Sequence, residues 1–490
     1  MAAGSLEDYN VIQMSLQCKP VGVSSQASKR READMRDLVY HSRRVAMSHG
    51  IEQLLRLSAR REPDDPREDT EVAAMLSVPR HPEDFAPLQN RCFQNPYAFY
   101  RMLRDDYPVY LLKNGIYCIS RYEDIVAVSR DTERFSSTHQ GVVAGLKPGH
   151  SVIREAQKLA PLERMGIAPG DVLALSDPPV HTAERKVAHK GLNSRIVKAM
   201  ESEVEQLCRE LMARFLPSGR VEFMREFAWA LPMRLIIRML GFPEADYEKI
   251  KTWCVHGIAT QSGIASRREL ARSRAEMLVF YRYCWQQFIR ARRAPRDDLS
   301  GVFVRGVNEG HMDANTAVSG IMQLLLAGSD SSATSMGNAL KLLIENPALQ
   351  AQIRDDIDGL LPAFIEEVFR LESAFQGHFR WTKEPVTLHG QTLPADSRLF
   401  LMWASGNRDE RVFEQPDEIR LDRHNGKKHL TFGHGIHACI GRELARTEIR
   451  IVLREFLLRT RELSLDGPAP FVASMFARTL QCLPIRFAAR

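Results

Sequence analysis

At 490 residues, with 44% hydrophobic and 26% charged residues, the chain has the balance of a globular protein able to bury a large core. No apolar run reaches 18 residues and the N-terminus lacks the charged-then-apolar order of a signal peptide, which argues against a transmembrane segment and predicts a cytoplasmic protein. The net charge of +6 comes without a basic run interleaved with aromatics, so nucleic acid is not the expected partner.

Residues 1–79 carry 11 Lys/Arg against 12 Asp/Glu, which leaves the positive excess to the remainder and suits it to an acidic partner. The eight cysteines (18, 92, 118, 208, 254, 284, 439, 482) form no C-x-x-C pair, against a zinc site or a disulfide framework. With no internal repeat and no second set of motifs, the reading is a polar, partly disordered extension over 1–79 and one large domain over 80–490.

Residues 1–30, rich in Ser, Gly and Gln, are predicted to be disordered. Leu38, Val45, Ile51, Leu54 and Leu55 fit one or two amphipathic helices broken near His49-Gly50, and residues 61–72 read as a solvated linker. Met75 is an alternative start. Residues 107–110 and 115–119 pattern as paired strands, and 138–176 is a Gly/Pro-punctuated stretch too long for a plain connector.

In the stretch from Asp177 to Arg185, prolines fall in a first helical turn and His181 and Arg185, four apart, share one face. Taken alone, that face is equally an exposed basic one. Residues 199–217, 220–239, 245–262 and 266–293 are predicted helical, with breaks at Pro217-Ser218-Gly219 and Gly241-Phe242-Pro243.

The longest helical pattern spans 313–345, from the capping residue Asp313 to just before Pro347. Its centre, Ala327-Gly328-Ser329-Asp330-Ser331-Ser332, sets poor helix formers inside an apolar helix, a local conflict that suggests function; the bland alternative is a serine-rich kink. Glu367 and Arg370 lie three apart on one helix face.

Phe432-Gly433-His434-Gly435-Ile436-His437-Ala438-Cys439-Ile440-Gly441 places one cysteine at the end of a glycine-rich loop, ahead of a helical pattern. A helix N-terminus lowers a thiol's pKa, and thiolate is the form that binds iron. Gly433 and Gly435 would permit φ > 0, Gly441 a close approach of the new helix, and Phe432 would shield the sulfur. A buried free cysteine is the alternative. Three glycines in this register arise by chance about once in 3,000 start positions at ~7% usage, which favours a functional loop. The stretch resembles the haem-ligand loop of the cytochrome P450 family, Phe-Gly-x-Gly-x-Arg/His-x-Cys-x-Gly, at every fixed position.

The resemblance, extending over about residues 85–490, implies the P450 fold, mainly α with small β-sheets, around iron protoporphyrin IX (haem b). It implies Cys439 as the proximal iron ligand, and His181, Arg185, Arg380 and His437 as contacts of the haem propionates. Ala327 and Gly328 would open the long helix over the iron, with Asp330 and Ser331 relaying protons and Ser331 standing where threonine is usual. Glu367, Arg370 and Arg423 would form a buried network bracing the cysteine loop.

The implied reaction inserts one oxygen atom from O2 into a small organic substrate. Because the sequence carries no flavin- or nicotinamide-binding fingerprint, electrons from NAD(P)H are expected through a separate ferredoxin or flavodoxin and its reductase. Rival readings are a peroxide-driven oxidase and a non-catalytic haem sensor or carrier.

Helical phase adds a point no motif specifies: positions 320, 323, 327, 331 and 334 lie within about 40° of one line. Gln323, Leu324 and Ala327 are thus expected to meet substrate, with Gly320 leaving room and Thr334 sharing the face. The alternative is that Gln323 bonds to a neighbouring loop.

Overall fold

The computed structural model describes residues 81–138, 172–259 and 267–490. The expectations for residues 1–79, for most of the 138–176 loop and for the junction between the 245–262 and 266–293 helices lie outside the described residues. The helices of nine or more residues are α1 (Tyr97–Asp106), α2 (Tyr122–Arg130), α3 (Val180–Gly191), α4 (Glu201–Met212), α5 (Ala230–Met239), α6 (Tyr247–Ala259), α7 (Arg267–Arg293), α8 (Leu299–Asn308), α9 (Ala314–Glu345), α10 (Pro347–Asp355), α11 (Ile357–Leu371) and α12 (Arg442–Arg459). No helix among the described residues is long and apolar enough to cross a membrane.

Helix α9 is the axis of this arrangement. Asp313 caps it as expected, its carboxylate accepting the Thr316 N–H at 2.8 Å and so satisfying one of the orphan donors of the first turn. Every residue from Ser332 to Leu340 is buried, the pattern of a helix enclosed on all sides. Helices α5, α6, α7, α8, α11 and α12 pack around it. Gly320 does not leave open room, contrary to expectation: a Cβ there would lie 2.8 Å from the Phe303 ring, so the missing side chain lets α8 close onto α9. Thr334 is likewise covered, its hydroxyl bonded to that of Thr479 at 2.7 Å.

The sheets are small. Strands β1 (Val109–Leu111), β2 (Ile116–Ile119), β3 (Phe135–Ser136), β5 (His378–Thr382) and β8 (Arg398–Leu401) form one sheet in the order β1-β2-β8-β5-β3. Only β2 and β8 run parallel within it. His378 and Arg380, two apart on β5, project from the same face. A second sheet pairs β4 (Arg220–Glu222), β10 (Pro484–Ala489) and β9 (Thr460–Leu465), and a two-stranded ribbon joins β6 (Val386–Leu388) to β7 (Gln391–Leu393). Strand β4 corrects the helix predicted from residue 220. Val221 pairs with Ile485, a partner so distant in sequence that no local pattern announces it.

Glu367 and Arg370, on α11, are fully buried and paired through two parallel bonds of 2.8 Å. Arg423 adds a bond of 3.0 Å to the same carboxylate, which also accepts the Arg420 backbone N–H at 3.0 Å. The Arg370 guanidinium then reaches the carbonyls of Asn407, Pro416 and Glu418, while Arg423 takes those of Glu414 and Gln415. One carboxylate thereby orders two arginines, and the arginines order the irregular chain that precedes the cysteine loop. Breaking a buried pair from one side leaves the other charge stranded, at a cost of about 3–5 kcal/mol. Arg370→Met is therefore expected to lower the thermal midpoint followed by far-UV circular dichroism well below that of Arg370→Lys, which keeps the charge; equal midpoints for wild type and Arg370→Met would show the pair to be dispensable.

Candidate active site

The cysteine loop is shaped by backbone bonds before any cofactor is considered. Gly433 N–H donates to the Leu430 carbonyl and Cys439 N–H to that of Phe432, both at 2.7 Å. Gly433 and Gly435 have φ of +68° and +72°, as the glycine spacing predicts. At Gly435 a Cβ would stand 2.5 Å from the Ser129 carbonyl of α2, so a side chain would force the loop off that helix. Phe432 is half-buried, edge-on to Phe369 with ring centroids 4.7 Å apart, and the Arg446 guanidinium lies over its ring. Around Gly441, by contrast, a Cβ would meet protein only at ordinary contact distance, including the Cys439 sulfur at 3.9 Å.

Cys439 is accessible although protein surrounds it, so it opens onto an internal hollow rather than the outer surface. Its acidity is not what the helix terminus alone predicts. Burial raises the thiol's pKa, and this outweighs the Gly441 N–H and the guanidinium groups of Arg185, Arg442 and Arg446, all of which favour the anion. A bare thiol here stays protonated at neutral pH; a metal cation would have to draw the proton off.

A group of nitrogen-bearing side chains gathers near this loop. The rings of His181 and His437 lie 4.2 Å apart. His181 Nε2 and His437 Nδ1 are buried without a hydrogen-bond partner among the described residues, while His437 Nε2 and the Ser137 hydroxyl are 2.8 Å apart. Burial and neighbouring arginines hold His181 down to about 4 and His437 to about 2. Arg380 is buried, donates to the carbonyl of its own neighbour Phe379 at 2.6 Å and has no ion-pair partner among the described residues, so desolvation lowers its pKa to about 10. Arg185 donates to the Ala438 carbonyl at 2.7 Å, beside the sulfur, and its other guanidinium N–H groups are not used by that bond.

On α9, Ala327 is the exposed residue between Ala314 and Ile344, with Gln323, Leu324, Gly328 and Ser331 partly exposed around it. An exposed alanine at the centre of an enclosed helix faces an interior space. Gly328 has room for a side chain before Ile236. Ser331 donates to the Ala327 carbonyl at 2.7 Å, as Ser329 does to Leu325 and Ser335 to Ser331 at 2.8 Å. All three serines therefore make the same back-bond, which eases a bend in the helix; Ser331 differs in being accessible. Asp330 is buried, its Oδ2 has no partner among the described residues, and desolvation pushes its pKa up to about 7. No bond among the described residues joins it to Ser331.

Sequence reasoning missed three neighbours. Glu448, on α12, is buried with Oε2 unpartnered; burial raises it to about 8 against a hydrogen bond from Ser332. A glutamate in the buried stripe Leu444, Glu448, Ile449, Val452 was a readable signal. Trp403 keeps an unpartnered buried indole N–H beside His378, with ring centroids 5.4 Å apart, and its benzo edge lies against Gly433. His378 itself, on the Arg380 face of β5, is held down to about 3 by burial and by Arg380. Nothing in local sequence marks either as part of the site.

An accessible sulfur, an opened helix face, and buried nitrogens with no ion-pair partner among the described residues together fit a flat, iron-bearing macrocycle with anionic side arms.

The chain is similar to known proteins of one family. A family profile described as cytochrome P450 matches residues 285–462. Cytochrome P450 144 of Mycobacterium tuberculosis is 32% identical over 393 residues, 80% of this chain and 89% of its own. Among solved structures, cytochrome P450 CYP109Q5 from Chondromyces apiculatus superposes with a TM-score of 0.72 at 29% identity, over 82% of this chain and 98% of that one. An intact type IV self-sufficient cytochrome P450 monooxygenase gives 0.75 at 26% identity, over 82% of this chain and 52% of that one. Identity of this degree across four-fifths of the chain places it in a family whose name the cysteine loop already suggested: the protein belongs to the cytochrome P450s and is a haem-thiolate monooxygenase.

Proposed function

We propose that residues 80–490 use haem b, with Cys439 as the iron ligand, to insert one oxygen atom from O2 into a small organic substrate, drawing electrons from NAD(P)H through a ferredoxin or flavodoxin and its reductase. The observation that carries this reading is the accessible Cys439 sulfur beside buried nitrogens that have no ion-pair partner among the described residues, Asp177 acting on Arg380 and His181 only from beyond ion-pair distance. Haem, when bound, supplies the activation of O2 and the transfer of one of its atoms. Arg380, His181 and His437 would hold the propionates, with Trp403 and His378 alongside, and Arg185 would fix the Ala438 carbonyl and the sulfur next to it. Phe432, Gly433 and Gly441 would line the proximal side.

Asp330, titrating near neutrality, is suited to hold a proton until it is needed, and Glu448 is a second buried store. The Ser331 hydroxyl donates to Ala327 while its lone pairs remain free to accept. A proton could then arrive on its oxygen as its own is passed onward. An acidic donor protein suits the net positive charge of the chain.

Cys439→Ala tests the reading directly: the thiolate signature of the reduced carbonyl complex should vanish, and its persistence would remove Cys439 as ligand. Ser331→Ala should keep NAD(P)H oxidation while product falls and peroxide rises; unaltered coupling would leave the serine as a bend in the helix and no more. For Asp330 the sign is fixed by burial. The unfolded chain releases this proton near its ordinary value of 3.8, the folded chain only near 7, so the folded state binds more protons between these values and stability falls as pH rises through them. Asp330→Asn should flatten that part of the stability–pH profile, measured by denaturant midpoint; an unchanged slope would assign it to other groups.

A further inference from the structure

Gln323 is a large polar side chain one turn before Ala327, on the face of α9 that opens inward. Its amide makes no hydrogen bond among the described residues, and it is partly exposed. The positions flanking it are settled otherwise: Gly320 is closed by Phe303, Leu326 packs over Gly257 of α6, and Leu325 is buried with its carbonyl facing the Cys254 sulfur. Only Leu324, Ala327, Gly328 and Ser331 share the open sector with it, and Ser331 is tied to the helix backbone. Gln323 is therefore the free polar group that this stretch of α9 offers to the interior. The amide is accessible rather than buried, so a ligand that displaces solvent from it must supply a partner or forfeit a hydrogen bond.

We propose that Gln323 is a substrate-positioning residue, and that the substrate is a mainly apolar molecule carrying one hydroxyl, carbonyl or amide group that bonds to it. The proposal rests on the monooxygenase reading above and adds a rule of position. Ala327 and Gln323 are separated by one helical turn, about 5–6 Å. A polar group held at Gln323 thus places the carbon under attack, nearest Ala327, about four to six bonds away along the molecule. Leu324, on the other side of the open sector, would contact the apolar body and supply no direction.

The test uses 4-phenylimidazole and its three hydroxyphenyl isomers, which ligate ferric haem through nitrogen and carry the hydroxyl to different distances. Binding is read from the Soret shift in the full-length, haem-loaded protein. In wild type, one isomer is expected to bind about 3- to 10-fold tighter than 4-phenylimidazole, the worth of one hydrogen bond. Gln323→Leu and the shape-conserving Gln323→Met should both erase that preference while leaving 4-phenylimidazole as tight or tighter. Equal isomer ratios in wild type and both variants, with a normal Soret shift, would overturn the role of Gln323 and leave the monooxygenase reading intact. Absence of any azole-induced shift in wild type, together with no thiolate-type carbonyl complex, would overturn that reading and this inference with it.

Discussion

A buried guanidinium without an ion-pair partner, set among buried ring nitrogens without hydrogen-bond partners among the described residues, is the constraint on which this site depends. Among the described residues Arg380 is desolvated with no carboxylate in ion-pair range, and His181 and His437 each keep one ring nitrogen unpartnered in the interior. Groups of this kind are costly in an empty fold and become favourable when an anion enters. The cysteine follows the same logic: burial holds its proton on, and only a metal opposite the sulfur makes the thiolate the stable form. Binding of an anionic, metal-bearing group at these residues would therefore be coupled to folding, because it would relieve a deficit stored in the interior.

The frame that presents this deficit is held elsewhere. Glu367 gathers Arg370, Arg423 and the Arg420 amide, and the two guanidinium groups spread over five carbonyls of the segment leading to the loop. Asn407 continues the brace through its bond to the Thr431 hydroxyl at 3.0 Å, one residue before Phe432. The loop itself is then fixed by contacts only glycine permits, chiefly Gly435 against Ser129. Position is set by polar bonds at one end and by the lack of a side chain at the other.

Much of this was legible because the signals were local. The cysteine loop needed three glycines in register; α9 announced itself by a cap, an apolar length and a following proline; Glu367 and Arg370 sat three apart on one helix. What escaped depended on distant partners or on a balance of forces. Strand β4 exists because β10 pairs with it, and Thr334 is closed off by a C-terminal threonine. Glu448 and Trp403 gain their interest only from where α12 and the chain after β8 come to rest. The acidity of Cys439 was misjudged because a helix terminus can be read from sequence whereas desolvation cannot.

The closure of Phe303 onto Gly320 has a further consequence. Where two helices interlock through a missing side chain, neither can roll about its axis without a collision, so the angular setting of α9 is locked at the edge of the open sector. The cavity wall on this side behaves as a fixed ruler, and the spacing between Gln323 and Ala327 cannot be retuned by tilting the helix. Gly257 of α6 against Leu326 and Gly337 of α9 against Met224 repeat the same lock along the helix, which leaves the side chains on that ruler as the means of changing what it measures.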